Sequence, residues 1–207
     1  MSTLTGDESL ELPEFDAPPS DPLALAAAWV AAAESRGVRE PRASVLATAD
    51  AAGRPSSRVV LIKTIDDRGA VITTVRSSAK ARAMAANPRA SLTLYWRETL
   101  QQLILDGSVE TLSDAQSDAL FADRPRGARA ASIVSTSGQP LTDEAGLIAQ
   151  AAALEAGSGE LARPDDWGAY RIVPERIEFW HGRANRLHRR LSYQASADGW
   201  TPLRLQP

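Results

Sequence analysis

Residues 43–75 read ASVLATADAAGRPSSRVVLIKTIDDRGAVITTV. Three apolar runs rich in Val, Ile and Thr are separated by Asp50-Ala51-Ala52-Gly53 and Asp66-Asp67-Arg68-Gly69, and Asp and Gly in such clusters favour tight reversals. The stretch is therefore expected to fold as an antiparallel meander with strands at 43–49, 56–65 and 70–74. On its C-terminal side, Ser78 is a helix N-cap, so 79–86 should form a short helix closed by Asn87-Pro88. Strands follow at 90–96 and 100–112. Ser113-x-x-Gln116 is a capping box that opens a helix over 114–122. A further helix over 142–155 ends at Gly157-Ser158-Gly159, and strands at 169–172, 177–182, 190–195 and 200–205 complete the chain.

On the N-terminal side, Asp21 is an N-cap followed by Pro22 at the first helical position, and the helix should run to Gly37. Residues 1–20, with Pro13, Pro18 and Pro19 among acids, read as a mobile arm. That leaves 21–207 as a single domain. Strands joined by tight turns, without regular crossover helices, point to a mainly β, antiparallel barrel decorated by helices (α+β) rather than a doubly wound sheet.

With 43% apolar and 24% charged residues, the 207-residue chain can build one core of ordinary size. Cysteine is absent, which excludes disulfides and thiolate chemistry, and two histidines are too few for a dedicated zinc site. The net charge of -3 argues against a general nucleic-acid binder. No apolar run reaches the ~18–20 residues of a membrane span. The acidic first twenty residues do not read as a signal peptide. A soluble cytoplasmic protein is expected, with no nucleic-acid or membrane partner. Of 23 basic residues, all but Lys63 and Lys80 are arginine, which singles out those two lysines as compact point charges suited to a phosphate.

Three segments concentrate charge. Arg58-Val59-Val60-Leu61-Ile62-Lys63 places a cation at each end of an apolar strand. Residues five apart point to opposite strand faces, so a single ligand would need a bulge, a strong twist or an interface to meet both; snorkelling side chains are the plainer reading. In the second, Thr73 and Thr74 lead through Ser78 into a helix start with Lys80 in its first turn, the ingredients of a phosphate site or of an ordinary cap. The third, Trp180 to Arg190, holds both histidines, His181 and His188, with Arg183, Arg186, Arg189 and Arg190. It fits either a solvated hairpin loop or an anion pocket with a stacking surface, to which Arg124-Pro125-Arg126 would add charge. Neither a Gly-x-Gly-x-x-Gly nor a P-loop fingerprint occurs. A site rich in cations and poor in nucleophiles points to chemistry carried by a bound cofactor.

Taken together and in order, Arg58 to Lys63, Ser78-Ala79-Lys80, Gln102, Arg124-Pro125-Arg126, Ile177 to Trp180 and Arg186-Leu187-His188 resemble the pyridoxamine 5′-phosphate oxidase family of flavoproteins. The resemblance runs from about Pro19 to the C-terminus. It implies a split β-barrel that binds FMN at a homodimer interface, so that two subunits build one site. By position, it implies that Arg58, Ser78 and Lys80 hold the FMN phosphate. Thr73, Thr74, Gln102 and the backbone around Leu61 would contact the rest of the flavin, with Trp180 and Arg190 arriving from the other subunit. Lys63 would lie beside the cofactor and, with Arg124, Arg186 and His188, face the substrate; no protein side chain would be the covalent catalyst, and no metal is implied.

The departures bear on substrate. Leu120 stands where the family has a tyrosine and Ala128 where it has a serine, so two hydroxyls that help bind a substrate phosphate are lost. Ser137-Gly138 replaces a Gln-Ser pair, and Ala79 replaces an arginine. Arg39 to Ala43, Tyr95 to Thr99 and Gln101-Gln102 are closer to the phenazine-biosynthesis branch, whose substrates bear carboxylates. The expectation is an FMN-dependent oxidase that dehydrogenates a reduced phenazine-type carboxylic acid, a small aromatic anion, and passes electrons to molecular oxygen. The alternatives are pyridoxine/pyridoxamine 5′-phosphate oxidase, favoured by Lys63 and Arg186-Leu187-His188, and a flavin- or pyridoxal-phosphate-binding protein without turnover.

Overall fold

The computed structural model describes residues 5–207. Helix α1 (Pro22–Ser35) is capped by Asp21, whose carboxylate accepts from the amides of Leu23 and Ala24. It ends where Gly37 takes a left-handed φ of 69° and Val38 N–H reaches back to Ala33 O, the Schellman pattern. The meander follows as β1 (Ala43–Ala49), β2 (Pro55–Asp66) and β3 (Gly69–Val75). Helix α2 (Ala79–Ala86) leads to β4 (Arg89–Trp96) and β5 (Gln101–Thr111). Helices α3 (Asp114–Ala122), α4 (Arg126–Val134) and α5 (Glu144–Ala156) precede β6 (Trp167–His181), β7 (Arg189–Ser196) and β8 (Gly199–Leu205).

All strand pairings are antiparallel, and the sheet order is β3-β2-β1-β4-β5-β6-β7-β8. A further β3–β6 pairing closes six strands into a barrel. Strand β6 makes this possible by changing partners along one edge. Residues 167–172 pair with β3, whereas 176–181 pair with β7, and β5 runs along the other edge. The barrel interior is filled by Leu46, Ile62, Ile72, Leu92, Leu103, Leu105, Ile177 and Phe179, each at most 1% exposed. Helix α1 adds Ala26, Trp29, Val30 and Ala33 to the same core, with Trp29 edge-on to Phe179 at 4.9 Å.

Three differences from the sequence expectations have physical causes. The two strands expected at 169–172 and 177–182 are the single strand β6. Pro174, which reads as a break, faces Gly107 at a bulge, where a Cβ on residue 107 would stand 1.9 Å from the Val173 carbonyl. Helix α4 was not expected; it starts after Pro125 without a side-chain cap. The arm expected to be mobile is instead packed down over its described part. Leu12 and Phe15 are 6% and 1% exposed, Tyr193 Oη donates to Pro19 O (2.9 Å), and Asp16 pairs with Arg189 (2.8 Å). Phe15 lies under the guanidinium groups of Arg189 and Arg204, 4.6 and 5.4 Å from its centroid. Residues 1–4 of that expectation lie outside the described residues.

Removing a buried phenyl ring costs ~3–5 kcal/mol. Phe15→Ala is therefore expected to lower unfolding free energy by about that amount in denaturant titrations at matched protein concentration. Wild-type stability in this variant would return residues 10–20 to the status of a loose arm.

Candidate functional site

The alternation of β2 sends Arg58 inward at one mouth of the barrel, opposite Leu46 in the register. Its guanidinium donates from Nη1 to Leu46 O (3.1 Å) and Thr48 Oγ1 (2.9 Å), and from Nη2 to Ser56 Oγ (2.6 Å). Thr74, at the end of β3, points the same way and is buried. Ser78 caps α2 by accepting from Ala81 N–H (3.3 Å), and its Oγ lies 3.3 Å from Thr74 Oγ1. Lys80, one residue into the helix, donates from Nζ to Thr74 Oγ1 (3.0 Å). Burial, and then repulsion from Arg58, hold the Lys80 ammonium below its ordinary pKa.

Lys63 occupies a different place. Between Ile62↔Ile72 and Thr64↔Val71 the β2–β3 register shifts by one residue, so Lys63 is the extra residue of a bulge. The side chain is half-buried, and its pKa is lowered by burial first and by Arg124 next, against an opposing pull from Asp123. Arg124, just past α3, lies 5.6 Å from the ring centroid of Phe121 and 5.4 Å from that of Trp167. It donates to Ser132 Oγ (2.7 Å), which in turn donates to Ala128 O (3.1 Å). Among the described residues no carboxylate forms an ion pair with Arg58, Lys63, Lys80 or Arg124. Half-buried cations without a carboxylate in ion-pair contact favour anionic ligands.

A third group occupies the β6–β7 hairpin. Trp180 is register-paired with Gln102 on one side and Arg190 on the other. The His188 ring lies 4.8 Å from Trp180, and its Nδ1 accepts from Arg183 N–H (3.0 Å). A neutral His188 therefore carries its proton on Nε2, where it can donate. Between them, Arg186 takes a left-handed φ of 67°, and its amide closes a turn onto Arg183 O (3.0 Å). Arg190 donates from Nε to Glu178 (2.7 Å), a carboxylate only 3% exposed, which raises its pKa.

The predicted residues thus sort into sets. Arg58, Thr74, Ser78 and Lys80 come together; Lys63 sits with Arg124; Gln102, Trp180, His188 and Arg190 share one sheet region. Leu61 is exposed on the outer barrel face with Val59 and Val45. Thr73 points to the opposite face of β3 from Thr74, across from Ala169. Two residues play other parts. Arg126 caps the end of α5 through Glu155 O and Leu154 O (2.9 and 3.0 Å), and His181 is fully buried, its pKa lowered chiefly by that burial. Sequence reading missed Ser132, Trp167 and Glu178, which hold Arg124 and Arg190 in place. Ser132 lies one helical turn beyond Ala128, a spacing visible only once α4 is recognised.

A family model described as "Pyridoxamine 5'-phosphate oxidase" matches residues 31–181. A second, described as "Pyridoxine 5'-phosphate oxidase C-terminal dimerisation region", matches residues 167–207. The dihydrophenazinedicarboxylate synthase of Pseudomonas chlororaphis is 42% identical over 205 residues, 99% of this chain and 92% of that protein. The pyridoxine/pyridoxamine 5′-phosphate oxidase of Thermosynechococcus vestitus is 44% identical over 188 residues, 90% and 89% of the two chains. The crystal structure of PhzG from Burkholderia lata 383 in complex with tetrahydrophenazine-1-carboxylic acid superposes with a TM-score of 0.93 at 40% identity, covering 98% of this chain and all of that one.

Neutralising Lys80 separates apo stability from ligand binding. In the pH range below the ordinary lysine value of 10.5, the unfolded chain holds this proton more tightly than the folded one, so the apo fold gains stability as pH rises. Lys80→Ala should leave apo stability at pH 7 unchanged or raised while weakening binding of an anionic ligand at this cluster, probed with inorganic phosphate, at least ~10-fold. A destabilised apo protein with undiminished phosphate affinity would show that the ammonium serves the fold instead.

Proposed function

Because this chain belongs to the pyridoxamine 5′-phosphate oxidase family, we propose that it is an FMN-dependent oxidase that dehydrogenates a reduced phenazine-type carboxylic acid and delivers the electrons to oxygen. The unpaired cluster of Arg58, Ser78 and Lys80 fits the FMN phosphate, a dianion that offsets the repulsion between the two cations. Thr74, Gln102 and the backbones at Thr73 and Leu61 complete the flavin contacts. The dimerisation-region match over β6 to β8 supports a homodimer in which Trp180 and Arg190 of the partner subunit cover the cofactor. Bound FMN supplies the acceptor for a hydride equivalent from the substrate ring.

The protein's own part is to bind and orient. Lys63 and Arg124 offer the substrate carboxylate two half-buried cations, and Arg124 is pre-set by its two aromatic rings and Ser132. His188, with its Nδ1 taken by Arg183 N–H, presents the Nε2 proton to a second acceptor on the substrate, and Arg186 adds charge from the same turn. The Trp180 ring, with the tilted His188 ring packed 4.8 Å from it, offers an aromatic surface to a ring system.

One observation carries the choice of substrate. Leu120 is turned into an apolar cluster with Val71, Leu112 and Ala169, and Ala128 offers only a carbonyl already engaged by Ser132. Around Arg124 the pocket thus has charge for a carboxylate but lacks two neutral donors that a phosphate would use. The retained Lys63 favours the second reading, pyridoxine/pyridoxamine 5′-phosphate oxidase.

Anaerobic mixing of the FMN-loaded protein with a reduced phenazine carboxylate is expected to bleach the flavin promptly, with slow or no bleaching by pyridoxine 5′-phosphate. The reverse order would hand the site to the vitamin substrate. Arg186→Ala should cut turnover ~10–100-fold, as loss of a charge-assisted contact does, with the flavin still bound; a variant that loses its flavin would contradict this division of roles.

A further inference from the structure

Between the end of β3 and the start of α2 the chain must turn so that Ser78 and Lys80 reach the barrel mouth. Ser78 N–H closes that turn onto Val75 O (3.0 Å). Ser77 is the residue in it whose polar groups are all engaged elsewhere. Its N–H donates to Asp166 Oδ1 (2.9 Å) and its Oγ to Asp166 Oδ2 (2.5 Å), while its carbonyl accepts from Arg82 Nη1. The preceding amide, Arg76 N–H, donates to the main-chain oxygen of the same Asp166 (2.5 Å). One residue, 89 positions away in sequence, thus grips both the backbone and the side chain of the turn.

Asp166 is itself held firmly. Trp167 N–H closes a tight turn onto Pro164 O (2.8 Å), and Arg163 donates to Trp167 O (2.6 Å). Arg163 also pairs with Asp118 (2.6 Å) and Asp114 (3.1 Å) on α3. Trp167 is buried edge-on against Phe121 at 5.1 Å. Nothing in the proposed reaction uses Asp166, and a carboxylate close to an anion site is unfavourable unless its charge is spent on other donors. Here both oxygens are spent on Ser77.

We propose that Asp166 is a positioning residue for the phosphate of the flavin cofactor: by clamping Ser77 it presents Ser78 and Lys80 to that phosphate, and so makes the chain prefer FMN to riboflavin. The proposal rests on the reading of the Arg58–Lys80 cluster as the FMN phosphate site. A carboxylate that only stabilised the fold would change binding of both flavins alike, because the ring system is common to them. A carboxylate that orders the turn changes binding of the phosphorylated one alone.

The test is a fluorescence titration of apo protein with FMN and with riboflavin, together with thermal unfolding of each apo variant. Asp166→Ala is expected to weaken FMN binding about tenfold and to leave riboflavin affinity within about twofold of wild type. Asp166→Asn, which keeps an oxygen for the Ser77 amide, should recover most of the loss. If Asp166→Ala does not fold, Ser77→Ala, which removes one of the clamp's bonds, should show a smaller loss confined to FMN. Equal losses for both flavins, no loss for FMN, or tighter FMN binding in these variants would overturn the proposal. Wild-type protein that binds riboflavin as tightly as FMN would overturn the phosphate-site reading itself, a failure distinct from the others.

Discussion

The fold depends on the pairing of β6 along both edges. Its first half closes the barrel against β3, its second half carries β7 and β8, and β5 lines the other side from Tyr170 to His181. A strand with one regular partner per edge would give either a closed barrel or an open eight-stranded sheet. The bulge at Glu175, where Asp106 and Gly107 face Arg176 and Pro174, bends β6 between its two roles. Because of that split, the hairpin bearing Trp180 and His188 projects beyond the barrel, while the Arg58–Lys80 cluster stays at the barrel's mouth.

Charge is distributed on the same plan. Most of the arginines that brace the barrel have carboxylate partners across strands: Arg171 with Asp66, Arg176 with Asp106, Arg68 with Glu110, Arg89 with Glu175. Arg58, Lys80 and Arg124 are held instead by neutral acceptors and aromatic faces, and burial lowers the pKa of Arg58, Lys63, Lys80 and Arg124 alike. In an acidic chain this is a selective omission. In the proposed function, a ligand phosphate or carboxylate would complete the missing half of each pair.

Elements with local signals were legible in the sequence. Helices α2 and α3 begin and end where Ser78 and the Ser113–Gln116 capping box place them, and β1 has its expected bounds. What the sequence hid is tertiary. Pro174 sits in mid-strand because Gly107 opposite it has no Cβ. Helix α4 has no capping side chain and carries Gly127 near its start. Phe15 and Leu12 are two apolar residues in an acidic stretch, and their burial follows from the main core, where Phe15 meets Trp29 of α1 and the arginines of β7 and β8. At the site, the motifs named the cations, but which arginines are neutralised, as Arg190 is by Glu178, and which are not follows from cross-strand neighbours. The strand-face problem of Arg58 and Lys63 resolves the same way, since the bulge at Lys63 pairs it with Arg124 and leaves Arg58 to Lys80.

In the proposed function the two cation clusters take different anions. The crystal structure of the FMN-loaded protein tests this most directly. The phosphate should lie between Arg58 and Lys80, within hydrogen-bond reach of Ser78, with the space beside Lys63 and Arg124 left for substrate. A phosphate seated on Lys63 and Arg124 instead would contradict the assignment of both clusters.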